Sequence, residues 1–228
     1  FDDIIQSALY STWSADAIVN GVAETSLYMQ KKQTDGTNTV YELYEGMVGD
    51  NLTFNIASGE IVTVSATFIG KGGSISSAAT GTTAAPTTTE VIDAANSFEL
   101  ESFFTSPLPN LMSMTIEINN NLAAKPVAGS VDSIGVRPGR CVVTGTASLY
   151  FESKALMDSF LAGTGGGIAV VLGSTTLEKY RITLPNVKIQ DADHFSPGND
   201  EDVMLNITFQ ALYDETLKGT IEIERAVD

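Results

Sequence analysis

Between Met112 and Ile118 apolar and polar side chains take strict turns. Met112, Met114, Ile116 and Ile118 fall on one face, with Ser113, Thr115 and Glu117 on the other. Side chains in an extended chain point alternately to opposite faces, so a two-residue period predicts a strand with one buried and one wet face. After Asn119-Asn-Asn-Leu-Ala-Ala-Lys-Pro-Val-Ala-Gly129, whose residue types open a loop, Cys141-Val-Val-Thr-Gly-Thr-Ala-Ser-Leu-Tyr-Phe151 repeats the pattern. A chain built around such a pair must bury one sheet face against another layer, which points to an all-β architecture.

The same period recurs along the chain. Leu27-Tyr-Met29 and Val40-Tyr-Glu-Leu-Tyr44 flank a turn at Asp35-Gly36, a hairpin signal. Asn51–Ile56 and Ile61–Ile69 are joined by Ser58-Gly59-Glu60 and read as a meander. Ile168–Leu172, Tyr180–Leu184, Val187–Ile189, Val203–Tyr213 and Thr220–Arg225 complete the predicted strands, with Pro185 marking an edge or a bulge. Two segments have helical spacing instead. Phe1, Ile4, Ile5, Ala8 and Leu9 share one face, with Asp2 and Asp3 at the positive end of the helix dipole and Trp13 packing on the following turn. Leu156, Met157, Phe160 and Leu161 form the second, with Ser153 as N-cap and Gly163 as the left-handed stop.

The expected fold is therefore mainly β: a sandwich or barrel of two packed antiparallel sheets with one or two helices. Residues 1–228 read as a single domain, with two similar sheet units at about 20–70 and 110–225 joined by a flexible loop, 71–96. That loop is small and polar and buries too little apolar surface to offset its ordering entropy, so it reads either as a loop that contacts a partner or as a solvated flexible one. Two short correspondences relate the halves, Ser26–Met29 with Ser113–Ile116 and Val62–Phe68 with Val143–Leu149. Opening directly on a helix with Phe1, the chain reads as one whose N-terminal portion is missing.

Charge narrows the function. Twelve Lys and Arg face 28 Asp and Glu, a net −16, which disfavours holding nucleic acid by phosphate neutralisation. An acidic surface repels DNA, which is useful wherever DNA must pass without sticking. The single cysteine, Cys141, allows no disulfide within the chain and reads as a small core hydrophobe.

No catalytic, cofactor-binding or metal-ligating residue is assigned. Gly163-Thr-Gly-Gly-Gly167 follows a helix rather than opening one and lacks the Gly-Lys-Ser/Thr of a phosphate loop. In Asp191-Ala-Asp-His-Phe-Ser-Pro-Gly-Asn-Asp-Glu-Asp202, Asp191 and Asp193 match a calcium loop, but Phe195 and Ser196 occupy the next required positions, so a solvated loop is expected. His194 is the only histidine and no Gly-x-Ser-x-Gly elbow accompanies it. Asn51-Leu-Thr53 and Asn206-Ile-Thr208 match a glycosylation acceptor but lie within predicted strands.

Several segments, taken in order, carry a resemblance. Tyr180-Arg-Ile-Thr-Leu-Pro-Asn-Val-Lys188, an acidic loop, Asp202–Tyr213 and Gly219-Thr-Ile-Glu-Ile223 are similar to the C-terminal part of phage tail tube proteins. The opening helix with Trp13, Phe68-Ile-Gly-Lys71, Ile118-Asn-Asn-Asn-Leu122, Val143-Thr-Gly145 and Tyr150-Phe151 with the helix after it resemble that family in the same order. The resemblance implies a non-enzymatic virion protein without cofactors, whose protomers form hexameric rings. The rings stack into the tube through which the genome is delivered. It also implies a tape measure protein in the lumen, terminator and distal tail proteins at the tube ends, and assembly in the host cytoplasm. Thr115 and Glu117 become candidates for a wet, lumenal face. A different class, an adhesin or carbohydrate-binding β-sandwich, would present an aromatic patch, for which Tyr28, Tyr41 and Tyr44 are the compact group.

Overall fold

A computed structural model describes residues 1–81, 91–104, 108–152, 154–173, 179–195, 198 and 202–227. Helix α1 (Asp2–Leu9) forms on the expected face and buries Ile5, Ala8 and Leu9. Tyr10 ends it in the left-handed region at φ 51°. A short strand, β1 (Ala17–Val19), follows and had no signal in the sequence pattern.

The hairpin at Asp35-Gly36 joins β2 (Leu27–Thr34) to β3 (Thr39–Ala57). The Asp35 carboxylate accepts from the backbone N–H groups of Thr37 at 2.9 Å and Asn38 at 2.6 Å, and Gly36 supplies the positive φ of 95°. β3 is one strand of 19 residues where the periodicity suggests two. Its halves serve different neighbours: residues 39–47 pair with β2, and residues 51–57 pair with the strands of the main body. Gly46, at φ 60°, and a register shift between Gly49 and Asn51 take up the change of direction.

The meander to β4 (Thr63–Ile69) forms as expected. The segment read as a flexible loop, 71–96, is in part a strand. Gly72–Ser76 forms β5, antiparallel to residues 41–45 of β3. Ladder bonds come from the backbone, so a strand at the edge of a hairpin needs no apolar side chains. Small residues suit this one, since a Cβ at Gly73 would crowd the Leu43 carbonyl. Residues 82–90 of that loop lie outside the described residues. β6 (Phe98–Phe103) is a further strand that the sequence reading passed over.

β7 (Leu111–Asn119) and β10 (Val142–Tyr150) pair antiparallel, as the alternation required. The loop between them carries a two-residue ladder, β8 (Ala123–Ala124) with β9 (Val136–Arg137). Helix α2 (Ala155–Ala162) stops at Gly163, φ 62°, whose N–H donates to the Phe160 carbonyl at 3.0 Å. The proposed cap, Ser153, lies outside the described residues.

β11 (Gly166–Leu172) leads to β12 (Tyr180–Phe195), which corrects two expectations. It continues through Pro185, where the register against β11 jumps between Leu184 and Val187, so the bulge accommodates the missing N–H. It then takes in Asp191–Phe195, read above as solvated loop. These residues pair with β13 (Met204–Ala211), and Asp191, Asp193 and His194 stay exposed while their backbone is fully laddered. β14 (Glu222–Arg225) closes the chain against β12 and β1.

Twelve strands form one antiparallel sheet, and β8–β9 a small second one. β12 is the corner. Residues 180–187 lie between β14 and β11, whereas residues 187–195 pair with β13, which continues through β10, β7 and β3 to β4. A strand that changes neighbours through a bulge lets two layers face one core. Ile182, Leu184 and Val170 from one side and Ile116, Ile118 and Phe209 from the other belong to a single buried cluster. Each such side chain, fully buried, stabilises the fold by about 1.5–3 kcal/mol before entropy is counted. Tyr10, Val48 and Val136 form a smaller cluster at the base of the hairpin.

Candidate functional site

The outward face of the broad sheet is set by the same alternation that builds the core. Because Phe54, Ile116, Gly145 and Phe209 are paired across strands and buried, their neighbours along each strand must all point the other way. Register then lines up rows of outward residues. One row runs Asp191, Thr208, Thr146, Thr115, Asn55, Thr63. The next runs Lys188, Gln210, Thr144, Glu117, Thr53, Ser65. A third begins Asp193, Asn206, Ser148, Ser113.

The chemistry of these three rows is uniform. Hydroxyls and carboxamides dominate, and the three rows contain only Glu117, Asp191, Asp193 and Lys188 as charges. Many side chains bond to one another: Ser148 Oγ donates to Asn206 Oδ1 at 2.8 Å, Gln190 Nε2 to Gln210 Oε1 at 2.6 Å, and Thr53 Oγ1 to Asn51 Oδ1 at 2.8 Å. The Asn51 amide in turn donates to the Glu117 carboxylate, so this charge is held against the sheet. Thr115 and Glu117, singled out in the sequence as a wet face, sit in the middle of it. With one lysine, the face cannot grip a phosphate backbone by counterion release. The three rows carry no large apolar side chain and give stacked bases or apolar protein little to adhere to, although the row beyond Ser148 and Asn206 holds Tyr150 and Met204.

The opposite outer face is different. On β12, Arg181 donates to Glu101 at 2.8 and 2.9 Å and to Glu224 at 3.1 Å, and these charge-assisted bonds hold its proton more tightly than usual. Glu222 lies nearby with its acid pushed upward, first by burial and then by the Glu224 charge. Arg225 binds Asp2 and Asp16 and lies 4.7 Å over the Trp13 ring, tying α1 to the last strand. A shallow cleft of about 320 Å³ lies here, lined by Asp16, Arg181, Glu224 and Arg225 among others. Both guanidiniums are already bound by carboxylates, so the cleft presents no free cation to a ligand.

The remaining sequence candidates do not converge. Gly163 is a helix stop, while Gly166 and Gly167 are inside β11. Asp191 and Asp193 project from one strand face, and His194 packs beside the Phe151 ring at 5.4 Å. Among the described residues no three His, Cys, Asp or Glu side chains come together as a metal site. Tyr41 and Tyr44 lie three apart on an unbroken ladder and therefore on opposite faces, so with Tyr28 they make no single platform. Asn51 and Asn206 of the two acceptor-like triplets lie in β3 and β13. Cys141 is half-buried beside the core, and burial raises its thiol to about 11.

Sequence reasoning missed the polar groups that knit the end of this sheet together. Ser7, buried in α1, donates to the Thr25 carbonyl at 2.8 Å and accepts from the Gly49 N–H at 2.9 Å. Asn120, also buried, donates to the Ala8 and Gly49 carbonyls. A serine on the apolar face of the first helix was the one available signal.

Comparison with known proteins gives a family match. The family model described as phage tail tube protein matches residues 1–211. No curated protein matches the chain.

Proposed function

The chain belongs to the phage tail tube protein family, and from that premise we propose that it is the wall of the tube and that its polar, cation-poor sheet face lines the channel. Membership carries self-assembly into a tail tube and a structural role in the virion. Our reading adds the finer arrangement: hexameric rings, stacked so that the rows across β12, β13, β10, β7, β3 and β4 face inward. The observation that carries it is the composition of that face, a broad Ser, Thr, Asn and Gln surface with one lysine in its three rows. DNA crossing it meets hydrogen-bonding groups that bind water as readily, and no cationic array to hold phosphates. A tape measure protein would occupy the same channel before the genome does, with terminator and distal tail proteins at the tube ends. Assembly would take place in the host cytoplasm.

In this reading the chain acts as one domain. The run of strands at about 20–70 and that at about 110–225 share a ladder through β3 and β7, so force along the tube passes between them by backbone hydrogen bonds. The role is structural, without turnover.

Negative-stain electron microscopy of the purified chain at high concentration tests the assembly, with rings and tubes expected. A chain that stays strictly monomeric overturns it. The lumenal face is tested with Thr146→Cys in assembled tubes. A small maleimide should react and a bulky polymer maleimide should not, while Cys141 stays silent. Equal reaction with both places Thr146 outside.

A further inference from the structure

Charge is divided unevenly along the strand direction. β3 runs from the β2 hairpin to the turn at Ser58–Glu60, so these mark opposite ends of the molecule. At the hairpin end, β5 pairs with β3, the Ser133 N–H donates to the Lys71 carbonyl at 2.8 Å, and Val136 packs on Val48. Residues 21–50, 69–76 and 120–141 are thereby gathered together. They hold six of the 12 cations and six of the 28 acids, so the whole net −16 lies on the rest of the chain.

The six cations, Lys31, Lys32, Lys71, Lys125, Arg137 and Arg140, are exposed, and none makes an ion pair among the described residues. Elsewhere Lys154, Arg181 and Arg225 are paired, while Lys179, Lys188 and Lys218 make no ion pair among the described residues but are scattered along the chain. The three-stranded arm of β2, β3 and β5 has no buried residue between 28 and 45, and it exposes Tyr28 at 73% and Ile75 at 76%. An arm of this kind is marginal alone and gains stability by docking. At the other end, Glu60, Glu152 and Asp202 are exposed next to the exposed apolar residues Ile61 and Met112. Phe151 N–H donates to the Val203 carbonyl, and Ser58 N–H to that of Met112, which places these residues on one edge.

We propose that the arm and the 120–141 loop of one protomer dock on the acidic edge of a second copy of this chain in the next ring. The contact is head-to-tail and pairs different surfaces, so it repeats without closing and propagates a stack. It rests on the tube reading and adds the surfaces and the force that join the rings.

The test reverses each end separately. Lys32→Glu with Arg137→Glu should leave rings that do not stack, and so should Glu60→Lys with Asp202→Lys. All four residues are exposed and none makes a side-chain bond within the described protomer. The two variants mixed, or the four substitutions in one chain, should restore tubes. Reversed ends that stack like the wild type, or a mixture that does not restore stacking, overturn the contact. A wild-type chain without rings or tubes overturns the tube reading and this contact with it.

Salt decides the matter independently if a variant fails to fold. Going from about 0.01 M to about 1 M shrinks the screening length from about 30 Å to about 3 Å. Rings joined by attraction should then part and tubes shorten. Rings merely tolerating their mutual −16 repulsion would lengthen instead, and that result overturns the proposal.

Discussion

The side-chain amide of Asn120 donates a 2.9 Å hydrogen bond to the carbonyl oxygen of Gly49. The same amide reaches the Ala8 carbonyl at 2.7 Å, so one buried residue beyond β7 holds both α1 and β3. Gly49 is glycine because a Cβ there would come within 2.9 Å of the Ala8 backbone. Replacing Asn120 with Leu strands two buried carbonyls. The expected loss is about 1–3 kcal/mol, read as a lower urea midpoint with an unchanged slope.

Gly145 lies in the middle of β10, between the Phe209 ring and the Thr115 carbonyl, and a Cβ would collide with both. Phe209 is fully buried and has no free volume to retreat into. Gly145→Ala should therefore cost about 1–3 kcal/mol by overpacking and lower the melting temperature. Adding Phe209→Leu should recover part of that loss, and a strictly additive double variant would refute the collision.

Two tyrosines predict the alkaline limit of the fold. Burial raises Tyr10 to about 12, helped by the Glu24 and Asp50 charges. Tyr180 also rises to about 12, from burial and from its 2.9 Å hydrogen bond to Asp2. A folded-state value above the unfolded 10 means that stability from the neutral phenols is complete below pH 10 and is lost as pH climbs through 12. Chemical denaturation should show a decline between about pH 10 and 12. Tyr180→Phe, which keeps the ring, should flatten it.

Cys141 should be a poor nucleophile in the folded chain. Its thiol is raised to about 11 by burial, against an ordinary 9.0, so thiolate is scarce at neutral pH. Iodoacetamide at pH 8 should label it slowly in the native protein and rapidly in urea. Equal rates would show that the side chain is open to solvent.

Much of the site could be read in advance because alternation is a local property. Thr115, Glu117 and their partners on β10 and β13 are polar at every second position, and any sheet made from them must have a wet face. Phe98-Glu-Leu-Glu101 carries the same alternation over only four residues beside an ambiguous stretch, too short to separate from chance. β5 was unreadable for a different reason. Gly72-Gly-Ser-Ile-Ser76 has no amphipathic signal, and only the exposed edge of β3 makes it a strand. Asp191–Phe195 shows the converse, since charged side chains predict solvent exposure correctly while saying nothing about backbone pairing.

By itself, the sequence determined the fold class, the positions of both helices, the absence of an intramolecular disulfide and the polar character of one strand face. Each of these depends on residues close together in the chain or on composition. Tertiary structure alone decided that β3 and β12 are single long strands, that five ladders align the polar faces of six strands into one surface, and that six unpaired cations gather at one end. Those depend on pairing between residues far apart in sequence, where backbone hydrogen bonds, largely indifferent to side-chain identity, set the register.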